Sequence, residues 1–439
     1  MPIDFDLNPE QSKLKDTARE FALEVLRPAA EYADAVPDAQ EAFAAMKVVY
    51  GEAAAHGLTT MFLPQDYGGG GASNVDFLIA IEELCAVDPG FPTILLVNGL
   101  GLLPILRFGS DEQRDTWLPR ATQDTTGDFL AGWVVSERGG TANFDHPSPQ
   151  AGIQLVADRR ADGEYVLNGE KHWPCNAGGW DLKGADVNVC VVRTDRTKGG
   201  QEALSAVVVE RDTPGIRYEV IDKMAHRTCQ TVTMTFRNVR IPEENLLPLS
   251  EGNGDLLINN NFTWSAPIAS IAAVAVARGA YEFALKWAKT YTGAGTGPII
   301  EHQAVGNLLT EIAAKIEAGR YMCWKTAHYM DRHPGQGHAL GGMNKTFCGE
   351  AMQSVVTDCM RIVGVNALDR KFPMEKYYRE SMVFPLYDAG NLAMQRRRAW
   401  GVMADPGFSP DVFVNGQALP FTRSMEGYGT GADISARNR

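Results

Sequence analysis

The chain has 439 residues, of which 45% are hydrophobic and 22% are charged, and its formal net charge is −13. This length allows two or three domains with large cores, and the composition is typical of a globular protein. The acidic balance argues against a nucleic-acid-binding protein, whose contact surface would be basic. An anionic cofactor remains compatible with it, because a local pocket can be positive.

Cysteine use and the first residues indicate a compartment. The seven cysteines are scattered and form no C-x-x-C pair, which favours buried thiols in a reducing environment. The first residues (MPIDFD) lack the basic and apolar regions of a signal peptide, and the longest apolar run, 268–277, is about half of what a bilayer requires. We therefore expect a cytoplasmic protein without membrane contact. The eight histidines form no motif that indicates a metal site.

Residues 1–127 are predicted to form a helical domain. Asn8 and Pro9 are typical of a cap and a first helical position. Apolar residues then recur at helical spacing, and further helices are predicted over 40–56, 74–87 and 95–108. The glycine-rich stretch 63–71 is interpreted as a connecting loop.

Residues 128–250 are predicted to form a β-domain. Strands are expected over 130–135, 152–159, 164–167, 187–192, 204–210 and 231–236, with a hairpin turn at 161–163. The alternation in 231–236 predicts one buried and one solvated face. Short strands at this spacing favour a small barrel or sandwich.

Residues 251–404 are predicted to form a four-helix bundle. The long amphipathic segments are 261–291, 300–332, 339–363 and 375–403. Residues 405–439, which contain several prolines and glycines, are predicted to be an irregular tail. The fold class is therefore α+β, with an N-terminal helical domain, a middle β-domain and a C-terminal helical bundle.

The segment 384–398 (FPLYDAGNLAMQRRR) is a candidate for catalysis. Asp388 follows Tyr387 and precedes Gly390. A carboxylate held in a turn beside an aromatic ring is partly desolvated, which raises its pKa and makes it a usable base. The same residues are also typical of an ordinary turn or helix cap, so this segment alone leaves both interpretations open.

The β-domain offers groups for a flat ligand. Trp133, Ser136 and Thr141 lie near the end of one predicted strand, and 169–180 (GEKHWPCNAGGW) runs from a strand into a glycine-rich loop. Aromatic rings could stack on a heterocycle while loop amides and hydroxyls bind its polar atoms. Ordinary strand ends with core tryptophans are the alternative.

Several motifs in chain order resemble the acyl-CoA dehydrogenase superfamily. Residues 63–69 (LPQDYGG) resemble its P-x-x-Y-G-G, Ser136-Glu137 stands at its Thr-Glu, and 171–176 (KHWPCN) resembles its K-x-W-I-T-N. Arg227, 239–247, 301–303, 372–379 and 387–388 continue the series. The resemblance spans nearly the whole chain and implies the fold of that superfamily, FAD as cofactor, and Asp388 as the catalytic base. It implies these cofactor-binding residues: Trp133, Val135, Ser136, Thr141, Ala142, Trp173, Cys175, Asn176, His302, Gln303, Gly364, Gly390 and Asn391.

Within the superfamily, 173–186, 299–303 and 385–391 resemble the nitroalkane oxidases, which also have Asp where most acyl-CoA dehydrogenases with a base here have Glu. This implies that Ser265 bonds the aspartate and that a nitroalkane and O2 give an aldehyde or ketone, nitrite and H2O2. One alternative is an acyl-CoA dehydrogenase that forms an α,β-unsaturated acyl-CoA and reduces an electron-transfer flavoprotein. Another is a flavin oxygenase offshoot of the same fold. The motif series argues against a helical interaction protein without a cofactor.

Three positions differ from these relatives. Gln395 stands where the nitroalkane oxidases have an arginine, and we expect Arg396 to point inward in its place, with the two arginines that follow solvated or between subunits. Cys175 replaces a serine or threonine near the flavin, and Gly293 marks the place of an arginine that reaches a neighbour's FAD. The resemblance also implies a homotetramer with FAD near subunit interfaces.

Overall fold

The computed structural model describes residues 5–139, 141–293, 295–415 and 417. Helices come first, strands follow, and helices return, as the periodicity predicts. The helices of the N-terminal domain are α1 (Pro9–Phe21), α2 (Arg27–Ala35), α3 (Ala39–Ala44), α4 (Met46–Ala55), α5 (Asn74–Cys85), α6 (Gly90–Phe108) and α7 (Asp111–Thr122).

The start of α1 is determined locally. Asn8 Oδ1 accepts a 2.8 Å hydrogen bond from the Gln11 backbone N–H, and the Gln11 side chain accepts one of 3.2 Å from the Asn8 N–H. This reciprocal pair satisfies two backbone donors that a helix start leaves free. The helix predicted over 40–56 is divided at Ala45 into α3 and α4, and α6 begins at Gly90 rather than at residue 95.

The middle domain is a mostly antiparallel sheet. Its elements in the described ranges are β1 (Ala131–Val134), β2 (Val156–Arg159), β3 (Tyr165–Cys175), β4 (Val187–Arg193), the short α8 (Gly200–Ala203), β5 (Leu204–Glu210), β6 (Ile216–Val220) and β7 (Thr231–Ile241). The strand order is β1-β4-β2-β3-β7-β6, and β5 pairs with β4. β1 and β4 run parallel, with Ala131 opposite Val187. β6 is not among the predicted strands, although 216–220 (IRYEV) alternates strictly between apolar and charged residues.

Both faces of the central strands are buried. Val189 and Val191 of β4 pack into the core shared with the helices, whereas Cys190 and Val192 pack into a second core between the strands. Period-two alternation produces this division. The predicted solvated face of β7 is wrong, because Thr231 and Thr233 are also buried. Their hydroxyls are satisfied by side chains of neighbouring segments.

The C-terminal domain contains three long helices, α9 (Gly254–Thr290), α10 (Gln303–Arg332) and α11 (His338–Val363). The prediction of one helix over 375–403 is wrong. That stretch forms α12 (Met374–Ser381), an irregular break, a π-helical turn (Gly390–Gln395) and α13 (Arg396–Met403). Asp388, Ala389 and Gly390 all have positive φ, which a right-handed helix does not accommodate. The short α14 (Asp411–Asn415) lies in the segment predicted to be irregular, and 418–439 lie outside the described residues.

Two helices in the described part of the chain, α6 and α9, are long and apolar enough to cross a membrane. In the folded protein, 94% and 72% of their most apolar windows are buried inside the fold. Their apolarity is therefore used in packing: α6 contacts β1 and α9, and α9 contacts α10 and α11.

Candidate active site

A cavity of about 780 Å³ lies where α6, α9, the sheet and the break after α12 meet. Its walls are mostly apolar, with Leu96, Val97 and Leu100 from α6 and Phe262 from α9. Asp388 lines the same space. A few polar groups in an apolar cleft between domains are typical of a small-molecule site.

The backbone around Asp388 is strained. φ is 49° at Asp388 and 69° at Ala389, a region in which residues other than glycine are uncommon. The conformation is held by hydrogen bonds within segment 385–395: Gln395 Nε2 donates to the Asp388 carbonyl at 3.0 Å, and the Asn391 N–H donates to the Pro385 carbonyl at 2.9 Å. Asp388 is thus fixed in the break rather than on a regular helix.

The two carboxylate oxygens of Asp388 have different surroundings. Ser265 Oγ on α9 donates a 2.7 Å hydrogen bond to Oδ1. Oδ2 is buried and has no hydrogen-bond partner among the described residues. One oxygen is therefore oriented by the protein, and the other remains available to accept a proton from a bound molecule.

Burial raises the pKa of Asp388 above its ordinary value. The Lys345 ammonium, the Ser265 hydrogen bond and the Arg398 guanidinium each lower this pKa, but together they do not offset burial. A carboxylate that is costly to keep ionised is a stronger base than one in water. Asp388 is therefore a base whose Oδ2 has a lone pair available to accept a proton.

Lys345 on α11 holds the break in place. Its Nζ donates to the carbonyls of Phe384 and Tyr387 at 2.5 and 3.1 Å and to Asn391 Oδ1 at 3.1 Å. Burial lowers the pKa of Lys345 to about 8, although the Asp388 carboxylate opposes this effect. The lysine thus supports both the conformation and the charge of the candidate base.

The buried arginine of the triplet is Arg398, so the prediction for Arg396 is wrong. Arg398 donates to Gln395 Oε1 at 2.9 Å and to Thr263 Oγ1 at 2.6 Å. Arg396 is half-exposed and pairs with Glu350 at 2.8 Å. The reason is helical register: Gln395 and Arg398 are three residues apart and share the inward face.

Comparisons with known proteins agree with this architecture. Models of the N-terminal, middle and C-terminal domains of acyl-CoA dehydrogenases match residues 8–125, 136–239 and 252–400. A nitroalkane oxidase of Podospora anserina is 32% identical over 92% of this chain and 97% of its own length. This chain belongs to the acyl-CoA dehydrogenase family. As in its relatives, its activity is that of an FAD-dependent oxidoreductase.

Two further relatives of the acyl-CoA dehydrogenase family illustrate its range. An acyl-CoA dehydrogenase of Bacillus subtilis is 28% identical over 87% of this chain and 95% of its own length. A solved structure of nitroalkane oxidase in complex with spermine superimposes with a TM-score of 0.90 at 29% identity, covering 94% of this chain and all of the other. The predicted three-domain fold is confirmed.

The cavity wall fits the flavin of FAD. Trp133 lines the cavity with its Nε1–H buried and without a partner among the described residues, so it can donate to a ligand. A register shift between His172 and Cys175 takes Trp173 out of the ladder, with φ at 75°. The predicted cofactor residues that line this cavity are Trp133, Val135, Ser136, Thr141, Ala142, Trp173, Cys175 and Gly390. An aromatic heterocycle with polar edges suits such a wall.

Other predicted residues lie elsewhere in the described structure. The Asn176 side chain is buried and donates to the carbonyls of Ile94 and Ala131, and Asn391 accepts from Lys345. Both therefore support the protein framework instead of lining the cavity. His302, Gln303 and Gly364 lie at the start of α10 and the end of α11, away from the lining residues of their own chain. Their role toward the FAD of a second subunit stays a prediction.

Sequence reasoning missed Lys345, Arg398 and His226. Lys345 has one usable signal, because small and apolar residues surround this lysine in the first half of α11. Arg398 could have been found from its spacing to Gln395. His226 lies in the loop between β6 and β7 and carries no local signal, since its partners come from distant elements.

Proposed function

We propose that this protein is a flavin-dependent oxidase of small nitroalkanes in which Asp388 removes the α-proton. The observation that carries the proposal is the unpartnered Asp388 Oδ2 in an apolar cavity, beside the Oδ1 that Ser265 orients. The relatives support the substrate class: nitroalkane oxidases of Podospora anserina and Fusarium oxysporum are 32% and 30% identical. Solved nitroalkane oxidase structures of 29% identity were crystallised with 1-nitrooctane and 1-nitrohexane.

Asp388 performs the proton transfer. The α-proton of a nitroalkane is acidic because the negative charge left behind spreads onto the nitro oxygens. Oδ2 accepts this proton while Ser265 keeps the carboxylate oriented, and the walls formed by Leu96, Val97 and Phe262 exclude water. Aspartate is one methylene shorter than the family's usual glutamate, which moves the base by about 1 Å and suits a different position of the acidic carbon.

FAD, when bound, supplies the acceptor for the two electrons. Nitroalkane, O2 and water then give an aldehyde or ketone, nitrous acid and hydrogen peroxide, which balances atoms and electrons. In this process, the residues of the chain bind, orient and deprotonate the substrate. Gln395 contributes indirectly, because it bonds the Asp388 carbonyl and accepts from Arg398.

To test this proposal, the purified holoenzyme is mixed anaerobically with nitroethane or with butyryl-CoA, and the flavin absorbance is followed. We expect nitroethane to bleach the flavin, and in air to yield nitrite and H2O2 in equal amounts. Bleaching by butyryl-CoA alone would replace the proposal with an acyl-CoA dehydrogenase, which would pass electrons to an electron-transfer flavoprotein. Bleaching by neither substrate would favour the oxygenase alternative.

We also infer a cytoplasmic homotetramer with FAD near subunit interfaces. The unpaired state of all seven cysteines supports a reducing compartment. Exposed apolar side chains on α11 and α13, including Phe347 and Trp400, support assembly. Light scattering should give the mass of four chains of 47.8 kDa. His302→Ala should weaken FAD retention if this residue contacts a neighbour's cofactor, and should leave it unchanged otherwise.

A further inference from the structure

His226 is a buried polar residue in the wall of the Asp388 cavity. It lies in the loop between β6 and β7, is 4% exposed and lines the cavity. Its ring packs against the Tyr387 ring, with 5.6 Å between centroids, and Asp388 is the next residue. Its Nε2 is buried and has no hydrogen-bond partner in the described part of the chain. A buried polar atom of this kind requires an explanation.

The other side of the ring is fixed. His226 Nδ1 lies 2.7 Å from Glu380 Oε2, and the His226 backbone N–H donates to the same oxygen at 2.9 Å. Burial raises the pKa of Glu380, but Lys376 and His226 outweigh it and hold this pKa well below its usual range. An ionised carboxylate only accepts, so Nδ1 carries a proton and donates it to Glu380. Only Nε2 remains for a ligand.

The charged side chains packed beside His226 leave a net negative charge next to its ring. Lys376 Nζ donates to Glu380 Oε1 at 3.0 Å and to Asp88 Oδ1 at 2.8 Å, so one buried ammonium faces two buried carboxylates. Together, Lys376, Glu380 and Asp88 carry one net negative charge beside the ring. Buried charges are less costly when they are balanced. The other ionisable residues that line the cavity are Cys175, Asp222, Lys223, Cys229, Arg379, Tyr387 and Asp388.

We propose that His226, in its doubly protonated imidazolium form, binds the nitro group of the substrate, with Nε2–H donating to a nitro oxygen. This inference rests on the proposed function. As Asp388 takes the α-proton, negative charge develops on the nitro oxygens, and a fixed donor aimed at that position stabilises it. Glu380, Lys376 and Asp88 are positioning residues that hold the imidazole for this contact.

Two substitutions of His226 distinguish the role of Nδ1 from that of Nε2. His226→Asn places its amide near Nδ1, which retains the Glu380 bond and removes Nε2. His226→Gln places its amide near Nε2 and gives up the Glu380 bond. His172→Asn is the matched control, because it removes an imidazole that bonds Thr233 on the same domain. Each variant is combined with Asp388→Asn, and the Kd of nitroethane is measured from the flavin spectrum without turnover.

We expect His226→Asn to weaken nitroethane binding about tenfold with little change in thermal stability, since one charge-assisted hydrogen bond is lost. We expect His226→Gln to lose stability while keeping more of the affinity, and His172→Asn to keep the affinity. The opposite pattern would be nitroethane affinity that is retained in His226→Asn and lost in His226→Gln, so that affinity depends on the Glu380 bond. That result would overturn the inference and leave the proposed function intact. If the parent Asp388→Asn protein does not bind nitroethane and nitroethane does not bleach the flavin of the wild type, the inference and the proposed function are both overturned.

Discussion

Ser265 Oγ donates a 2.7 Å hydrogen bond to Oδ1 of Asp388, although 123 residues separate the two in the chain. Ser265 is fully buried on α9, whereas Asp388 lies in the break after α12. The bond stabilises the ionised carboxylate and so opposes burial, which raises the pKa of Asp388. It also leaves Oδ2 as the free oxygen. Orientation and basicity of the candidate base therefore depend on one hydroxyl.

Ser265→Ala should lower kcat/KM for nitroethane about tenfold, because a hydrogen bond to a charged group is lost. The pKa of Asp388 should rise further. Since the base acts in its ionised form, kcat/KM rises with pH through this pKa, and the rise should move to higher pH in the variant. The measurement is a pH profile of kcat/KM for both proteins.

Ser270→Ala is the control for this prediction. Ser270 lies on the same helix, is fully buried and donates to the Ala266 carbonyl, but does not contact Asp388. Its pH profile should match that of the wild type. Equal shifts in both variants would mean that α9 packing, rather than the bond to Asp388, determines the profile.

Asp388→Asn should reduce proton abstraction by about 10² to 10⁴-fold while FAD remains bound. Its stability should also depend less on pH. A carboxyl with a raised folded pKa binds more protons in the folded state than in the unfolded state, so wild-type stability falls as pH rises from the ordinary carboxyl pKa through the raised one. Urea unfolding of both proteins across this range measures the difference. Full activity in the variant would exclude Asp388 as the base.

Arg398→Met should be strongly destabilising, whereas Arg396→Met should not. Burial lowers the pKa of Arg398 to about 10, so it stays cationic at neutral pH. Its removal leaves Thr263, Gln395 and neighbouring acceptors without a donor, at a cost on the order of 3 kcal/mol. The half-exposed pair of Arg396 and Glu350 should contribute about 0–1 kcal/mol. Unfolding free energies that change equally would contradict the assigned orientation.

Local patterns account for the parts of the fold that the sequence predicts. The α1 start follows from Asn8 and Gln11, which lie within one helical turn of each other. The order of helical, β and helical domains follows from a periodicity that changes near residues 129 and 255. Most predicted flavin-wall residues do line the cavity because their motif spans one strand end and one loop.

Long-range contacts account for the failures. The sequence predicts a continuous helix where the structure has the break after α12. The break forms because Lys345, on another helix, donates hydrogen bonds to the carbonyls of Phe384 and Tyr387. Positive φ at Asp388 and Ala389 costs on the order of 1–3 kcal/mol per residue and persists only with such support. The environment of His226 likewise depends on Glu380, 154 residues away. No local propensity contains this information.

Cys175 should be a reactive thiol. The nearby Cys229 thiol, the Lys223 ammonium and the Thr231 hydroxyl lower its pKa from the ordinary thiol value, against the effect of burial. Its Sγ lies 3.3 Å from Thr231 Oγ1, which accepts a 2.6 Å bond from Lys223 Nζ. Alkylation by iodoacetamide should therefore increase with pH and level off below the ordinary thiol pKa, because the thiolate is the nucleophile. Peptide mass spectrometry of the FAD-free and FAD-bound protein would measure it.

Lys223→Met should move the Cys175 alkylation profile to higher pH, because it removes the nearby cation. Cys190 is the internal control: burial raises its pKa to about 12, so it should stay unlabelled in the same sample. FAD should slow the labelling of Cys175, since this residue lines the proposed flavin wall. Labelling of Cys175 that increases only near the ordinary thiol pKa would show that Cys229 and Lys223 do not stabilise its thiolate. Labelling that FAD leaves unchanged would place the flavin away from this wall.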